Sequence, residues 1–299
     1  MDFDVITFGS ALVDIFVNTG LPEKKNDICY PAGSKIKITK TFTDIGGGGT
    51  NSAVAFSRLG LKTGCISCLG NDSYGKEILD LLKKEKVKFF GKVKKNAKTD
   101  FSIILDSKEK NRTILVNKKT NNEISFGNLN LRGIKTRWLY LSSSLGESFE
   151  AQKKLARELR NRGVKIAFNP SEYLIKEKDI RPLLKICDCL ILNLEEAGLL
   201  TKEKDLLEGL YKLGPKIVVI TNREKMVSCY DGKKKYFFKP GKVRVVENTG
   251  AGDAFASGFV AGQIMEKTIE ESLKLGLKES ESVISYFGAK NKLLKMKLK

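Results

Sequence analysis

Apolar positions along the chain fall into two patterns. Short, nearly continuous apolar runs recur at Trp138–Leu141, Lys165–Phe168, Cys189–Leu192 and Ile217–Ile220. Such runs suit strands buried on both faces of a parallel sheet. Between them lie stripes at helical spacing: Tyr74, Ile78, Leu81 and Leu82, then Leu155 and Leu159. A last long helix is expected over 268–287, turning Ile269, Leu273, Val283, Ile284 and Phe287 inward. Residues 2–8 read as a first strand ended by Gly9. Alternation of this kind predicts an α/β fold in which a doubly wound, mostly parallel sheet is flanked by helices. Two segments, 11–45 and 91–126, instead carry period-two patterning with turn signals, as where Phe101, Ile103 and Leu105 alternate with Asp100, Ser102 and Asp106. They are expected to meet in space as a small, discontinuous β-rich lid on a single domain spanning 1–299. The lid would cover the carboxyl edge of the main sheet, where doubly wound folds bind ligands.

Composition narrows the chemistry. The 299 residues, 41% hydrophobic, suffice for a substantial core, and no apolar run approaches the ~20 residues that span a bilayer. Asp2 and Asp4 make the start acidic, so no signal peptide is expected and the reading is a soluble, cytoplasmic protein. There is no histidine. That removes Ser-His-Asp and Cys-His catalysis and any His-ligated metal. Cys65 and Cys68 form a C-x-x-C, but in a strand-like run, where positions three apart face opposite sides; buried reduced thiols are expected. The formal charge of +19 reflects scattered lysines with few aromatics among them. It reads as a bias of composition rather than a nucleic-acid surface, and the Lys290–Lys299 cluster reads as a solvated end.

Three short stretches carry candidate chemistry. Asn248-Thr249-Gly250-Ala251-Gly252-Asp253 precedes a small-residue apolar run, Ala254 to Ala261. Glycines before a helix start let an anion approach bare N–H groups, and the adjacent Asp253 can take a proton from a hydroxyl; together these suggest phosphoryl transfer. The alternative is a tight turn whose Asp caps a helix. Gly46-Gly-Gly-Gly-Thr-Asn51 runs into a helix expected over Ser52–Leu59 and is neither a Walker A loop nor the dinucleotide fingerprint. Its exposed backbone and the Asn51 amide suit a polyhydroxylated ligand, or else form a hinge capped by Asn51. Asn193-Leu-Glu-Glu196 opens a helix after a strand; amide and carboxylate there suit a hydrated Mg²⁺, or an ordinary helix cap. Asp14, in an otherwise apolar run, needs partners that sugar hydroxyls or solvent can supply.

Taken in order, these stretches resemble the ribokinase-like (PfkB) carbohydrate kinases over nearly the whole length. Gly46–Asn51 looks like the family's first signature and Asn248–Asp253 its second. Gly70-Asn-Asp-Ser-Tyr-Gly75 is similar to its G-x-D-x-x-G turn, Asn193–Glu196 to its N-x-x-E motif, and Gly288-Ala289 also fits. The resemblance implies a kinase using ATP and Mg²⁺ on a hydroxymethyl group of a ribose- or fructose-like sugar, or of a nucleoside. It makes Asp253 the base and the amides of Gly250, Ala251 and Gly252 the anion hole. It places Asp14, Gly47, Gly48 and Asn51 on the acceptor, with Glu147 as a further contact, and Asn193 and Glu196 on Mg²⁺ and phosphate. Asp253, at a helix start, is expected to have a lowered pKa.

The chain departs from the family pattern in Thr221-Asn-Arg-Glu-Lys-Met226, where a T-x-G-x-x-G loop has lost both glycines, leaving Thr221 and Arg223 as the nucleotide contacts. The last helix is polar at Lys278–Ser282. Glu247-Asn248 stands where Asp-Thr is usual, so Glu247 and Thr249 are candidates for a monovalent cation such as K⁺. Phe16, on the face of Asp14, is available to stack on a base or to pack within the lid. Lys35, Lys37 and Arg112 leave a sugar phosphate open as acceptor. A homodimer through the lid is a candidate assembly, and the rival class is a family member that binds nucleotide without turnover.

Overall fold

Strands buried on both faces dominate the centre of the molecule. The computed structural model describes residues 2–296, apart from 26, 110–111, 130–133, 247 and 287. Its main sheet has nine strands in the order β17-β16-β15-β14-β13-β12-β1-β6-β8. They are β1 (Asp2–Phe8), β6 (Thr63–Ile66), β8 (Lys88–Phe89), β12 (Lys135–Ser142), β13 (Lys165–Asn169), β14 (Cys189–Asn193), β15 (Ile217–Asn222), β16 (Met226–Tyr230) and β17 (Lys235–Phe238). Pairing is parallel from β8 through β15, and β15, β16 and β17 pair antiparallel.

The apolar runs sort by the period of two. Leu139, Leu141, Ile166, Phe168, Leu190, Leu192, Val218 and Ile220 face one helix layer. That layer includes α3 (Gly146–Asn161), whose Leu155 and Leu159 dock there. Trp138, Tyr140, Ala167, Cys189, Ile191 and Val219 face the other. There α1 (Gly48–Arg58) contributes Phe56 and α8 (Ala251–Ile264) contributes Phe255, Phe259 and Val260. The remaining helices are α2 (Ser73–Lys84), α4 (Glu172–Glu177), α5 (Arg181–Leu184), α6 (Leu194–Leu200), α7 (Leu206–Tyr211) and α9 (Ile269–Ile284). Cys65 and Cys68 pack in different clusters, as expected for positions three apart, and burial raises their thiol pKa values to about 12 and about 11.

A separate four-stranded sheet, in the order β11-β10-β2-β5, is built from the two β-rich segments. Its strands are β2 (Leu12–Asn18), β5 (Lys40–Gly46), β10 (Phe101–Asp106) and β11 (Arg112–Asn117). Two short pairs, β3 (Glu23–Lys24) with β4 (Asp27–Ile28) and β7 (Cys68–Gly70) with β9 (Lys92–Lys94), complete the strands. The chain passes from the main sheet to the small one at Ala11, whose N–H and C=O are both bonded by the buried Asn121 side chain.

Three local expectations are corrected. The first helix starts at Gly48, not Ser52, because Gly47 turns the chain and the backbone of Gly49 is anchored on the Ser10 carbonyl at 2.9 Å. The last helix stops at Ile284; Phe287 lies outside the described residues. The segment after it is docked rather than solvated. Leu293 is buried, the Leu294 N–H donates to Glu279 at 3.0 Å, and the Met296 N–H donates to the Arg58 carbonyl at 2.8 Å. The polar stretch in α9 thus has a structural use.

Glu279 is fully buried, and desolvation raises its pKa from 4.5 to about 7. A raised carboxylate pKa means that the folded state holds the proton more tightly than the unfolded one, so stability falls as pH rises from 4.5 to about 7. Glu279→Gln should remove that fall, recovering on the order of 2 kcal/mol near pH 8. Thermal melts of both proteins from pH 5 to 8 check it; parallel curves would refute the assignment.

Candidate active site

The catalytic candidates come together where α8 begins. Gly250, the N-cap of α8, has φ +80°, and a Cβ placed there would lie 2.5 Å from the Ala289 methyl. Only glycine makes this turn without strain. The turn leaves Gly250, Gly252 and Asp253 lining a cleft of about 300 Å³. Ala251 differs from expectation. Its N–H donates to the Asn248 carbonyl at 3.3 Å, closing the turn, and it is not among the residues lining the cleft.

Asp253 is oriented from the opposite side. Asn51, on the first turns of α1, donates its Nδ2 to Asp253 Oδ2 at 2.8 Å. Gly48 packs between Ser142 and Asp253, where a Cβ would lie 2.9 Å from Ser142 Oγ and 3.3 Å from Asp253 Oδ1. Gly47 has φ +95°, and a Cβ there would lie 2.4 Å from the Ser10 carbonyl oxygen. The glycine run therefore brings backbone against the cleft floor. The expected lowering of the Asp253 pKa is overturned. Desolvation outweighs the Asn51 hydrogen bond and the charges of Lys290 and Lys118, so the pKa is raised.

The acceptor candidate Asp14 lies behind this layer, on β2. It accepts a hydrogen bond from Ser102, sits across from Asp44 on β5, and has its pKa raised by burial. Phe16, two positions on, is buried against Phe42 with ring centroids 5.7 Å apart, so it packs within the small sheet. At the other end of the cleft stand Asn193, Glu196 and Thr221. Asn193 and Glu196 form a capping box, each side chain accepting from the other's backbone N–H at 2.8 and 2.9 Å. Thr221 donates to the Leu192 carbonyl at 3.3 Å. Burial raises the Glu196 pKa, and the charges of Glu172 and Glu195 push it the same way. A buried carboxylate in acidic company fits a nearby hydrated cation.

Three predicted residues sit elsewhere. Arg223, at the tip of the β15–β16 hairpin with φ +44°, is exposed and pairs with Glu195 at 3.5 Å; it does not line the cleft. Glu147 is exposed at the start of α3, outside the cleft lining. The hydroxyl of Thr249 accepts from Arg112 Nη1 at 2.6 Å, so a guanidinium already holds the oxygen proposed for a monovalent cation; Glu247 lies outside the described residues.

Two lysines were missed. Lys118 lines the cleft and donates to the Tyr173 hydroxyl at 2.9 Å. Lys290 is buried against Asn51. Neither stands in a motif, and each is one lysine among many. The serines Ser10, Ser142, Ser143 and Ser171 also line the cleft, and Ser142 Oγ and Ser171 Oγ are buried with no partner among the described residues.

Residues 4–296 match the model of the pfkB family carbohydrate kinases. The chain belongs to that family. This PfkB kinase is 36% identical over 149 residues to a cytidine kinase of Thermococcus kodakarensis, a match covering 46% of the chain and 53% of that protein. It is 26% identical over 261 residues to a ribokinase of Haemophilus influenzae, covering 83% of each. Its fold matches that of Arabidopsis thaliana ribokinase complexed with ribose and ATP, with a TM-score of 0.81 at 22% identity over 97% of this chain and 95% of that one. The chain is therefore a phosphotransferase with an alcohol group as acceptor, of the sugar and nucleoside kinase class. Among the described residues no helix is long and apolar enough to cross a membrane.

Gly250→Ala should cost roughly 1–3 kcal/mol through backbone strain alone. It should also abolish most turnover, because the clash with Ala289 displaces the start of α8. A calorimetric melt and a steady-state assay test both; unchanged turnover would show that this turn does not shape the site.

Proposed function

We propose that this PfkB kinase moves the γ-phosphoryl group of ATP to the hydroxymethyl group of a ribose- or fructose-like sugar, with Asp253 as base. One observation carries the reading. A carboxylate fixed by Asn51 shares a cleft of about 300 Å³ with the glycine turn that begins α8. The acceptor occupies the side of Gly48, Asn51 and Asp14, and ATP the side of Asn193, Glu196 and Thr221. Asp253 takes the hydroxyl proton as the oxygen attacks. In a loose transition state that proton leaves late, and the main need is charge stabilisation by the amides around Gly250 and Gly252. Lys118, at the cleft wall, adds a cation near the migrating group. Mg²⁺ bound with ATP supplies charge neutralisation on the phosphates, with Glu196 placed to hold its water. The small sheet acts as a lid, opening to admit the acceptor toward Asp14.

A nucleoside kinase is the second reading, favoured by the cytidine kinase relative. Burial of Phe16 removes one feature that would have supported it. Outward apolar residues Ile114, Leu115 and Val116 on β11, the edge of the small sheet, support a homodimer through that edge.

ADP release assayed over pentoses, hexoses, sugar phosphates and nucleosides tests the substrate class; no turnover with any of them would defeat the proposal. Asp253→Asn should lower kcat by about 10²–10⁴-fold with little change in acceptor Kd. The raised pKa places the acid limb of the wild-type pH profile above the ordinary aspartate range. Full activity in Asp253→Asn would remove Asp253 as base. Sedimentation should show a dimer that Leu115→Glu converts to monomer; a wild-type monomer at micromolar concentration would end the dimer proposal.

A further inference from the structure

The segment after α9 returns to the site and delivers a buried ammonium. Lys290 is only 4% exposed. Its Nζ donates to Asn51 Oδ1 at 3.0 Å and to the Ile45 carbonyl. Arg58 fastens the same residue from behind, donating Nη1 to the Lys290 carbonyl at 2.6 Å, and Arg58 is itself paired with Glu85. Burial lowers the Lys290 pKa from its ordinary value, and the nearby carboxylates of Asp44, Asp14 and Asp253 oppose that fall and favour the charged form.

An ammonium has three donors and no acceptor, whereas an amide has one end of each kind. With Lys290 in place, the Asn51 oxygen must face it. The Asn51 nitrogen must then face Asp253 Oδ2, as the 2.8 Å contact shows. The reversed amide would set its oxygen against a carboxylate and its N–H groups against an ammonium, two repulsive contacts in a buried place. The charged groups acting on Asp253 are Lys290 and Lys118, and the nearby Tyr140 hydroxyl feels its charge. Those acting on Lys290 are Asp14, Asp44, Asp253 and Arg58.

We propose that Lys290 is a positioning residue: it fixes the Asn51 amide, and Asn51 then holds one oxygen of Asp253 so that the other is presented to the acceptor hydroxyl. The proposal rests on Asp253 being the base. It gives the C-terminal segment a direct part in setting up the reaction.

The test uses the full chain with Lys290→Met, which removes donor and charge, and Lys290→Gln, which keeps a donor and loses the charge. Lys290→Met should lower kcat about 10–100-fold, the scale of a misplaced catalytic group, with a smaller effect on KM. Its acid limb in kcat/KM should move to higher pH, because the ionised Asp253 loses a stabilising cation. Lys290→Gln should recover part of kcat but keep the shifted limb, and it carries the test if Lys290→Met does not fold. On an Asn51→Ala background, Lys290→Met should add little further loss. Wild-type kcat and acid limb in either single variant, or fully additive losses in the double variant, would overturn the proposal. The Asn51 side-chain amide resonances provide a readout independent of turnover and should shift in Lys290→Met. If Asp253→Asn keeps full turnover while those resonances still shift, the base assignment fails and the amide clamp stands.

Discussion

The hydrogen bond between Asn51 and Asp253 joins the two halves of the candidate site. One partner rides on α1, which follows the small sheet, and the other on α8, which leads to the end of the chain. Both helices lie on the same face of the main sheet, packed on Tyr140 and its neighbours. That shared packing holds the two helix starts at a fixed separation. The glycine turns at Gly47 and Gly250 then bring backbone to the cleft without side chains in the way. If the bond were absent, two anion-facing helix ends would remain, with an acid of undefined orientation between them.

Burial sets the electrostatics more than the helix end does. Asp253 stands on the first turn of α8, where the helix field favours a negative charge, and yet its pKa is raised. Desolvation is the larger effect even though Asp253 is half-buried and lines the cleft. For the proposed base this is useful, since a higher pKa makes a better proton acceptor. Asp14 and Glu196 are shifted upward for the same reason.

Much of this was legible from the chain. The four apolar runs became the central parallel strands because both faces of that sheet are covered, which leaves no polar positions to blur the pattern. The glycine-rich stretches carried their message because few other uses require consecutive glycines beside an Asn or an Asp. What escaped notice depended on tertiary context. A helix starting at Gly48 runs against glycine's poor helix propensity and forms because the Ser10 carbonyl anchors it. Arg223 was judged by its neighbourhood in sequence, but a left-handed turn sends it to Glu195. Glu147 follows the right strand but is exposed on the first turn of α3. Lys290 could not be told from the lysines around it, because only the fold shows which one returns to the interior.

The span of these contacts bears on how the enzyme comes into being. Asn51 is bonded to a residue 202 positions later and to another 239 positions later. Contacts that distant form only after long loops have closed, and such closure is slow and highly cooperative. A nascent or nicked chain that has folded its first β-α units therefore holds Asn51 without either partner. With Asp253 and Lys290 in their proposed roles, phosphotransfer competence arrives only with the segment after α9, so recovery of turnover after denaturation would report completion of the whole molecule rather than of any part.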